Sequence, residues 1–280
     1  VSIGASATTF CDGTSVTFTA TPQFGGSTPS YQWKVNGSNV GTDNTTFSTS
    51  TLVDGDVVTC VLTSSEECPS PATATSNSIE VTVVSFETPS ISISISSGTT
   101  ICNGDLITVT STPLFGGGLP TFDWLVNGVS TGELDSTFST FSLNNGDQVS
   151  CIFTSNFLCT TVGADTSNTL TFTVVTPPQV DAGSNMTTCG TTAFTFANGA
   201  TNSNTTSIAW TENGAGSITA GANTLTPTYT PASGDLGTTV TFTLTGYGNS
   251  PCAEIADNVL LQIDALTLYY DDDDSDGFGD

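Results

Sequence analysis

The chain has 280 residues, with 26 Asp or Glu, one Lys (Lys34), and neither Arg nor His, so its formal net charge is −25. Because almost nothing in it can neutralise phosphates, this composition excludes nucleic acid and anionic membrane surfaces as partners. No stretch approaches the roughly 20 apolar residues of a membrane-spanning helix, so we expect no membrane insertion.

Short alternations of apolar and polar residues predict strands along the whole chain. In SVTFTATP the apolar residues are Val16, Phe18 and Ala20, and YQWKV, SIEVTVV and ISISISS follow the same period of two, while no stretch keeps a helical period. The turn signals DGD, VNG, NNGD and FGGG separate these strands at the spacing of a β-sandwich. The sequence therefore predicts an all-β protein.

An internal repeat at an offset of 91 residues organises the first two thirds of the chain. The offset relates YQWKVNG to FDWLVNG, FGG to FGG, and Cys11, Cys60 and Cys68 to Cys102, Cys151 and Cys159. A divergent third copy follows Thr176-Pro177-Pro178. We predict repeats at residues 1–86, 87–176 and 177–266, followed by an acidic tail, 267–280. The fold class predicted is tandem immunoglobulin-like β-sandwiches in an elongated string.

One tryptophan stands on the third strand of each repeat, at an inward-facing position. We expect Trp33, Trp124 and Trp210 to form the cores, as the tryptophan of an immunoglobulin-like domain does. The plan departs from an antibody domain because Val58 and Val149 replace the usual corner tyrosine and the second strand has no cysteine. The usual bridge between the two sheets therefore cannot form.

Eight cysteines without histidine favour disulfides and an oxidising compartment, with buried free thiols as the alternative. The third repeat keeps only the first and third cysteines of the plan, and Phe242 takes the middle place. A single plan then leaves Cys60 and Cys151 as buried thiols beside Trp33 and Trp124. The predicted bridges, with bridging by Cys60 as an open alternative, are Cys11–Cys68, Cys102–Cys159 and Cys189–Cys252.

The tail reads YYDDDDSDGFGD, and within it the pattern D-x-D-x-D-G-x-x-D matches the first nine positions of an EF-hand-type calcium loop. The predicted calcium ligands are Asp272, Asp274, Asp276, the carbonyl of Phe278, and Asp280. The glutamate that completes such a loop falls beyond the last residue, so we expect these residues to be part of a longer protein. An acidic linker without calcium is the alternative.

The first two repeats resemble the PKD-like and immunoglobulin-like repeats of very large surface proteins of the Bacteroidota, through CDGTSVTFTATPQFGG, YQWKVNG and VTCVLTS. The third repeat resembles another repeat type of these proteins, and the tail resembles their YYxDxDGDGFGD segments, with a thrombospondin-type-3-like calcium motif. The resemblance implies type IX secretion and cell-surface display, as in gliding-motility adhesins. It also implies O-glycosylation at Ser136, because Asp135-Ser136-Thr137 matches the sequon of that phylum, although the three residues alone favour a plain turn.

We expect no enzyme, because the chain lacks histidine and a nucleophile motif such as G-x-S-x-G, and its acids stand mostly in turns. The predicted function is a disulfide-stabilised structural segment of an extracellular adhesin or filament. Its expected partners are neighbouring domains of the same long chain, further copies in a filament, and surface glycans. The alternative is a glycan-binding accessory region of a secreted polysaccharide-degrading enzyme.

Overall fold

A computed structural model describes residues 1–267 of the protein. Within these residues the fold is all-β, with 29 strands and a single turn of 3-10 helix at Ser233–Asp235. No helix in this part of the chain is long and apolar enough to span a membrane. The predicted all-β class is confirmed.

Residues 1–86 contain ten strands. These strands are β1 (Ser2–Ala5), β2 (Thr9–Cys11), β3 (Val16–Thr21), β4 (Ser30–Val35), β5 (Ser38–Val40), β6 (Thr46–Thr49), β7 (Val57–Thr63), β8 (Thr73–Thr75), β9 (Ile79–Glu80) and β10 (Thr82–Val84).

Residues 87–176 contain the same ten strands in the same order. They are β11 (Ser90–Ser94), β12 (Thr100–Cys102), β13 (Ile107–Leu114), β14 (Thr121–Val126), β15 (Val129–Ser130), β16 (Thr137–Thr140), β17 (Gln148–Thr154), β18 (Ala164–Thr166), β19 (Leu170–Thr171) and β20 (Thr173–Val175).

The remaining described residues contain nine strands. They are β21 (Gln179–Asp181), β22 (Met186–Cys189), β23 (Phe194–Thr195), β24 (Thr201–Ser203), β25 (Ser207–Glu212), β26 (Ser217–Ala220), β27 (Thr228–Thr230), β28 (Thr238–Tyr247) and β29 (Ile255–Asp264).

The pairing of these strands is that of an immunoglobulin-like sandwich. In the first repeat β1-β3-β6 form one sheet and β5-β4-β7-β8 the other, with β9 also pairing with β7, and β2 runs parallel to β10. The second repeat has the same arrangement in β11-β13-β16, β15-β14-β17-β18 and β12 with β20. In the third, β22-β29-β28-β25 and β23-β27-β26 are the larger sheets. Tandem immunoglobulin-like folding is thus present along the chain.

Alternation in the sequence becomes alternation of burial on these strands. Strand β7 places Val58, Cys60 and Leu62 in the core and leaves the residues between them part-exposed. The hairpin from β4 to β5 turns through Asn36 and Gly37, both with positive φ, and the pair Asn127 and Gly128 does the same in the second repeat. The VNG signals therefore encode turns whose twist matches the paired strands.

Each buried tryptophan keeps its indole N–H paired. Nε1 of Trp33 donates to the carbonyl of Asn44 at 2.9 Å, and Nε1 of Trp124 donates to that of Asp135 at 2.8 Å. In the third repeat Nε1 of Trp210 donates to the carbonyl of Thr224 at 2.9 Å. These bonds fix the loop that follows strand β5, β15 or β26 against the core, since an unpaired buried N–H is costly.

Contacts divide the chain into two compact units. One comprises residues 1–94, 110–138 and 149–169, and the other comprises residues 95–109, 139–148 and the described residues from Leu170 to 267. The residues of the predicted second repeat contribute to both units. The three repeat boundaries therefore remain a prediction from sequence equivalence.

Candidate functional site

Two disulfides connect cysteines of successive repeats. Cys11 is bonded to Cys159 and Cys102 to Cys252, with Cα–Cα distances of 5.5 Å and 4.9 Å. In both cases the first cysteine of one repeat bonds to the third cysteine of the next.

The predicted pairs Cys11–Cys68, Cys102–Cys159 and Cys189–Cys252 are therefore wrong.

Strand topology explains why the bridge within a repeat is not made. In the first repeat Cys11 lies opposite Val84 in the parallel pair β2/β10, which continues past the start of β7. Cys68 lies past the other end of β7, in the loop to β8. The seven residues of β7 separate the two cysteines, a distance of about 23 Å at ~3.3 Å per residue. A disulfide needs Cα atoms within about 7 Å.

We call the Cys11–Cys159 bond and its surroundings the first junction. Hydrogen bonds hold the linker between the first and second repeats, near Glu87, beside this disulfide. The N–H of Asp12 donates to the carbonyl of Val84 at 3.0 Å, which fixes the end of β2. Glu87 then donates its N–H to the carbonyl of Cys159 and accepts from the N–H of Thr161, both at 2.9 Å. The covalent bond and the linker backbone thus hold the same loop.

The second junction is the Cys102–Cys252 bond and its surroundings, and its first cysteine has the same backbone contacts as Cys11. Cys102 lies opposite Val175 in the parallel pair β12/β20, and the N–H of Asn103 donates to the carbonyl of Val175 at 2.8 Å. Cys252, its partner, lies in the turn between β28 and β29 and donates its N–H to the carbonyl of Asn249 at 3.0 Å. The first and second junctions therefore share one design.

The middle cysteines are buried free thiols. Cys60 lies opposite Trp33 and Cys151 opposite Trp124 in the paired strands, and both are fully buried. Burial raises the pKa of both thiols, that of Cys151 to about 11. A thiol held neutral in this way is a poor nucleophile, so these residues serve as small core side chains.

The third repeat has Leu244 rather than Phe242 in the position opposite Trp210. The expected equivalence of Phe242 with the middle cysteine is therefore wrong by two residues. Both side chains are buried, because residues two apart on a strand share a face.

A buried carboxylate in the third repeat was not identified from sequence. Asp235 is 2% exposed and accepts hydrogen bonds from the N–H of Ala215 at 2.6 Å, the N–H of Ala232 at 2.8 Å and the hydroxyl of Tyr229 at 2.8 Å. Burial pushes its pKa upward, but these donors outweigh burial and leave the pKa below its ordinary value. Burial and the bond to Asp235 raise the pKa of Tyr229. Together, the hydrogen bonds to Asp235 hold the turn at residues 232–235 against Ala215 and Tyr229.

The other predicted site residues are not brought together. Ser136 is exposed and immediately precedes β16, with its carbonyl accepting from the N–H and hydroxyl of Ser111. Within residues 1–267 no cluster of three or more acidic or cysteine side chains is arranged to hold a metal ion. The calcium ligands predicted at Asp272, Asp274, Asp276, Phe278 and Asp280 lie outside the described residues.

No family model matches this chain, and no curated protein matches it in sequence. It is similar to three N-terminal domains of the bacteriophage RB49 highly immunogenic outer capsid protein, with 11% identity over 95% of this chain and 99% of that chain and a TM-score of 0.40. It is also similar to the I-band fragment I67–I69 of titin, with 10% identity over 95% of this chain and 99% of that one and a TM-score of 0.41. A third is the N-terminal eight immunoglobulin domains of the Down syndrome cell adhesion molecule, with 12% identity over 92% of this chain and 35% of that one and a TM-score of 0.40. Similarity at this level gives no indication of function.

Proposed function

We propose that the chain is a non-enzymatic, extracellular segment of a large cell-surface adhesin or filament, in which linked immunoglobulin-like repeats form a stalk. The observation that carries the proposal is the pair of disulfides between successive repeats. A bridge within a domain stabilises that domain alone, whereas these two resist the separation of one repeat from the next.

The two covalent loops overlap, which limits how far the chain can be stretched. A force applied at the two ends passes from Cys11 to Cys159, along the backbone between Cys102 and Cys159, and on to Cys252. That stretch of backbone reaches roughly 200 Å when fully extended at ~3.5 Å per residue. Without the disulfides, residues 11–252 would reach roughly 840 Å at the same length per residue. A stalk under tension benefits from this limit.

The sequence resemblance supports a more specific setting for the stalk. The repeats resemble those of giant surface proteins of the Bacteroidota, which implies secretion by the type IX system and a role in surface adhesion or gliding motility. The core tryptophans Trp33, Trp124 and Trp210 are buried, so none of them offers a flat surface for sugar binding. This favours the stalk over a glycan-binding accessory region.

Calcium binding by the tail is part of the proposal and rests on its sequence. Asp272, Asp274, Asp276, the carbonyl of Phe278 and Asp280 supply the hard oxygen ligands that calcium prefers. Calorimetry of residues 1–280 with calcium chloride tests this: we expect binding that is lost when Asp274 and Asp276 are changed to Asn. Equal heat from the variant contradicts a tail site.

Single-molecule stretching of residues 1–280 tests the stalk. We expect the oxidised chain to stop extending at about 200 Å between its bridged cysteines and to extend several-fold further after reduction. The variant C68S/C189S retains both junctions and is the matched control, so it should behave as the unmodified chain. An oxidised chain that extends as far as the reduced one contradicts the proposal.

Adhesion of the source cells tests the cellular role. We expect cells whose parent protein carries C11S and C102S to attach in still medium and to detach more readily under flow. Attachment under flow that matches that of unmodified cells argues against a stalk under tension.

A further inference from the structure

Apart from the buried middle cysteines, the disulfide pattern leaves one first cysteine and one third cysteine outside any bond. Each observed bridge joins the first cysteine of a repeat to the third of the next repeat. Cys68 is the third cysteine of the first repeat and Cys189 is the first cysteine of the third, and both are free and exposed. Cys189 is therefore of the type that supplies the first cysteine of such a bridge, and Cys68 is of the type that supplies the third.

Cys189 has the backbone setting of the two first cysteines that are bonded. It lies opposite Asp264 in the parallel pair β22/β29, as Cys11 lies opposite Val84 and Cys102 opposite Val175. The N–H of Gly190 donates to the carbonyl of Asp264 at 2.9 Å, which matches the bonds of Asp12 and Asn103 in the other repeats. Cys189 in the third repeat therefore has the same backbone contacts as a first cysteine that is bonded, but it has no partner cysteine in this structure.

Cys68 has the setting of Cys159, which is bonded. The loop that carries Cys68 is closed at its base by the N–H of Ser64 donating to the carbonyl of Ala72 at 2.9 Å, and Ser155 and Gly163 make the same bond around Cys159. An open cavity of about 740 Å³ borders Cys68, with Phe24, Glu66 and Thr73 in its lining. The thiol is therefore reachable by an incoming segment.

We propose that Cys189 and Cys68 are complementary halves of further junctions. Cys189 bonds to the third cysteine of a following repeat of this plan, and Cys68 bonds to the first cysteine of a preceding one. The partner repeat stands either in a second copy of this chain or elsewhere on the same polypeptide. The inference rests on the cysteine geometry and does not depend on an adhesin role.

Thiol–disulfide exchange forms the bond, with a disulfide of a small thiol as the oxidant. The Cys189 thiolate attacks the oxidant, giving a mixed disulfide and releasing one small thiolate. The Cys68 thiolate then attacks the Cys189 sulfur and releases the second. Two protein thiols are oxidised to one disulfide, two protons are released, and the oxidant is reduced to two small thiolates, which take up those protons.

Mixing single-cysteine variants of residues 1–280 provides the test. C68S retains Cys189 and C189S retains Cys68, and both changes are at exposed positions outside the two bonded pairs. The oxidant is hydroxyethyl disulfide, which is neutral, because Glu66 and Glu67 beside Cys68 repel anionic glutathione. About 0.5 M salt screens the repulsion between chains of net charge −25.

We expect each variant alone to stay monomeric on a non-reducing gel and the mixture to give a dimer of one C68S chain and one C189S chain. Peptide mapping should find Cys189 bonded to Cys68, and the double variant C68S/C189S should form no dimer. Homodimers of either variant in the same yield would show indiscriminate oxidation and overturn the proposal. A mixture that stays monomeric also overturns it.

Peptide mapping of protein from the source cells then separates the two sources of the partner repeat. Cys189 bonded to the peptide containing SEECPSPA shows a second copy, whereas Cys189 bonded to a cysteine peptide from outside these 280 residues shows another repeat of the polypeptide. Reduced Cys68 and Cys189 in that material contradict the proposal.

Discussion

Cys102 and Cys159 belong to the same repeat in sequence, yet they are not bonded to each other. Cys102 is bonded to Cys252 of the following repeat and Cys159 to Cys11 of the preceding one. A repeat in the middle of such an array is therefore joined covalently on both sides. Each linker needs no rigidity of its own to keep its neighbours adjacent.

The four free thiols should react in two classes. Cys68 and Cys189 are exposed, whereas Cys60 and Cys151 are buried with raised pKa values, and the thiolate is the reactive form. At pH 8, iodoacetamide should modify two thiols quickly and two more only after unfolding. Mass spectrometry of the labelled peptides checks the assignment. Fast modification of Cys151 in the folded protein would contradict its burial.

Removing the first junction should destabilise the protein. In the chain-entropy model a loop of 148 residues contributes about 5 kcal/mol, so we expect C11S/C159S to lose up to that amount of unfolding free energy. Guanidinium unfolding followed by tryptophan fluorescence measures the loss. The control C68S/C189S keeps both junctions and should stay within about 0.5 kcal/mol of the unmodified chain. Equal midpoints for the two variants would show that the junction adds no stability.

Much of the fold follows from local signals in the sequence. Alternation located strands such as β3 and β4, VNG located both hairpins, and the tryptophans marked the core, because each signal depends on residues close together in the chain. The cysteine partners could not be read in this way. The pairings Cys11–Cys68 and Cys11–Cys159 are equally compatible with the 91-residue repeat. The structure excludes the first because Cys11 and Cys68 lie at opposite ends of the sandwich.

Asp235 was missed for a related reason. TPASGD reads as an ordinary acidic turn, and burial of its carboxylate depends on Tyr229 and on Ala215, which is distant in sequence. No local pattern distinguishes this aspartate from the exposed ones in other turns.

Changing Tyr229 to Phe should destabilise the third repeat. The variant loses the hydroxyl that donates to Asp235 and accepts from the N–H of Gly216 at 3.0 Å. A hydrogen bond to a charged group contributes about 1.5–3 kcal/mol, so we expect a loss of that size. Urea unfolding measures it. As a control, Y247F removes the hydroxyl of an exposed tyrosine and should cost far less. A loss equal to that of the control would mean that the Tyr229 hydroxyl is not needed.

Asp235 should also give the third repeat a dependence on acid pH. Its pKa is lower in the folded protein than the ordinary value of 3.8, so the ionised carboxylate stabilises the fold. This contribution is fully present above pH 3.8 and is lost as the pH falls through the lower folded-state pKa.

Asn at position 235 removes the charge and places an amide N–H₂, itself a donor, against the three groups that donate to Asp235. D235N should therefore be less stable than the unmodified chain at pH 7, by about 1.5–3 kcal/mol, and the difference should shrink below pH 4. Unfolding free energies between pH 7 and pH 2.5 test this, with E133Q as a control at an exposed acid. A difference that stays constant over this range would mean that the ionisation of Asp235 does not stabilise the fold.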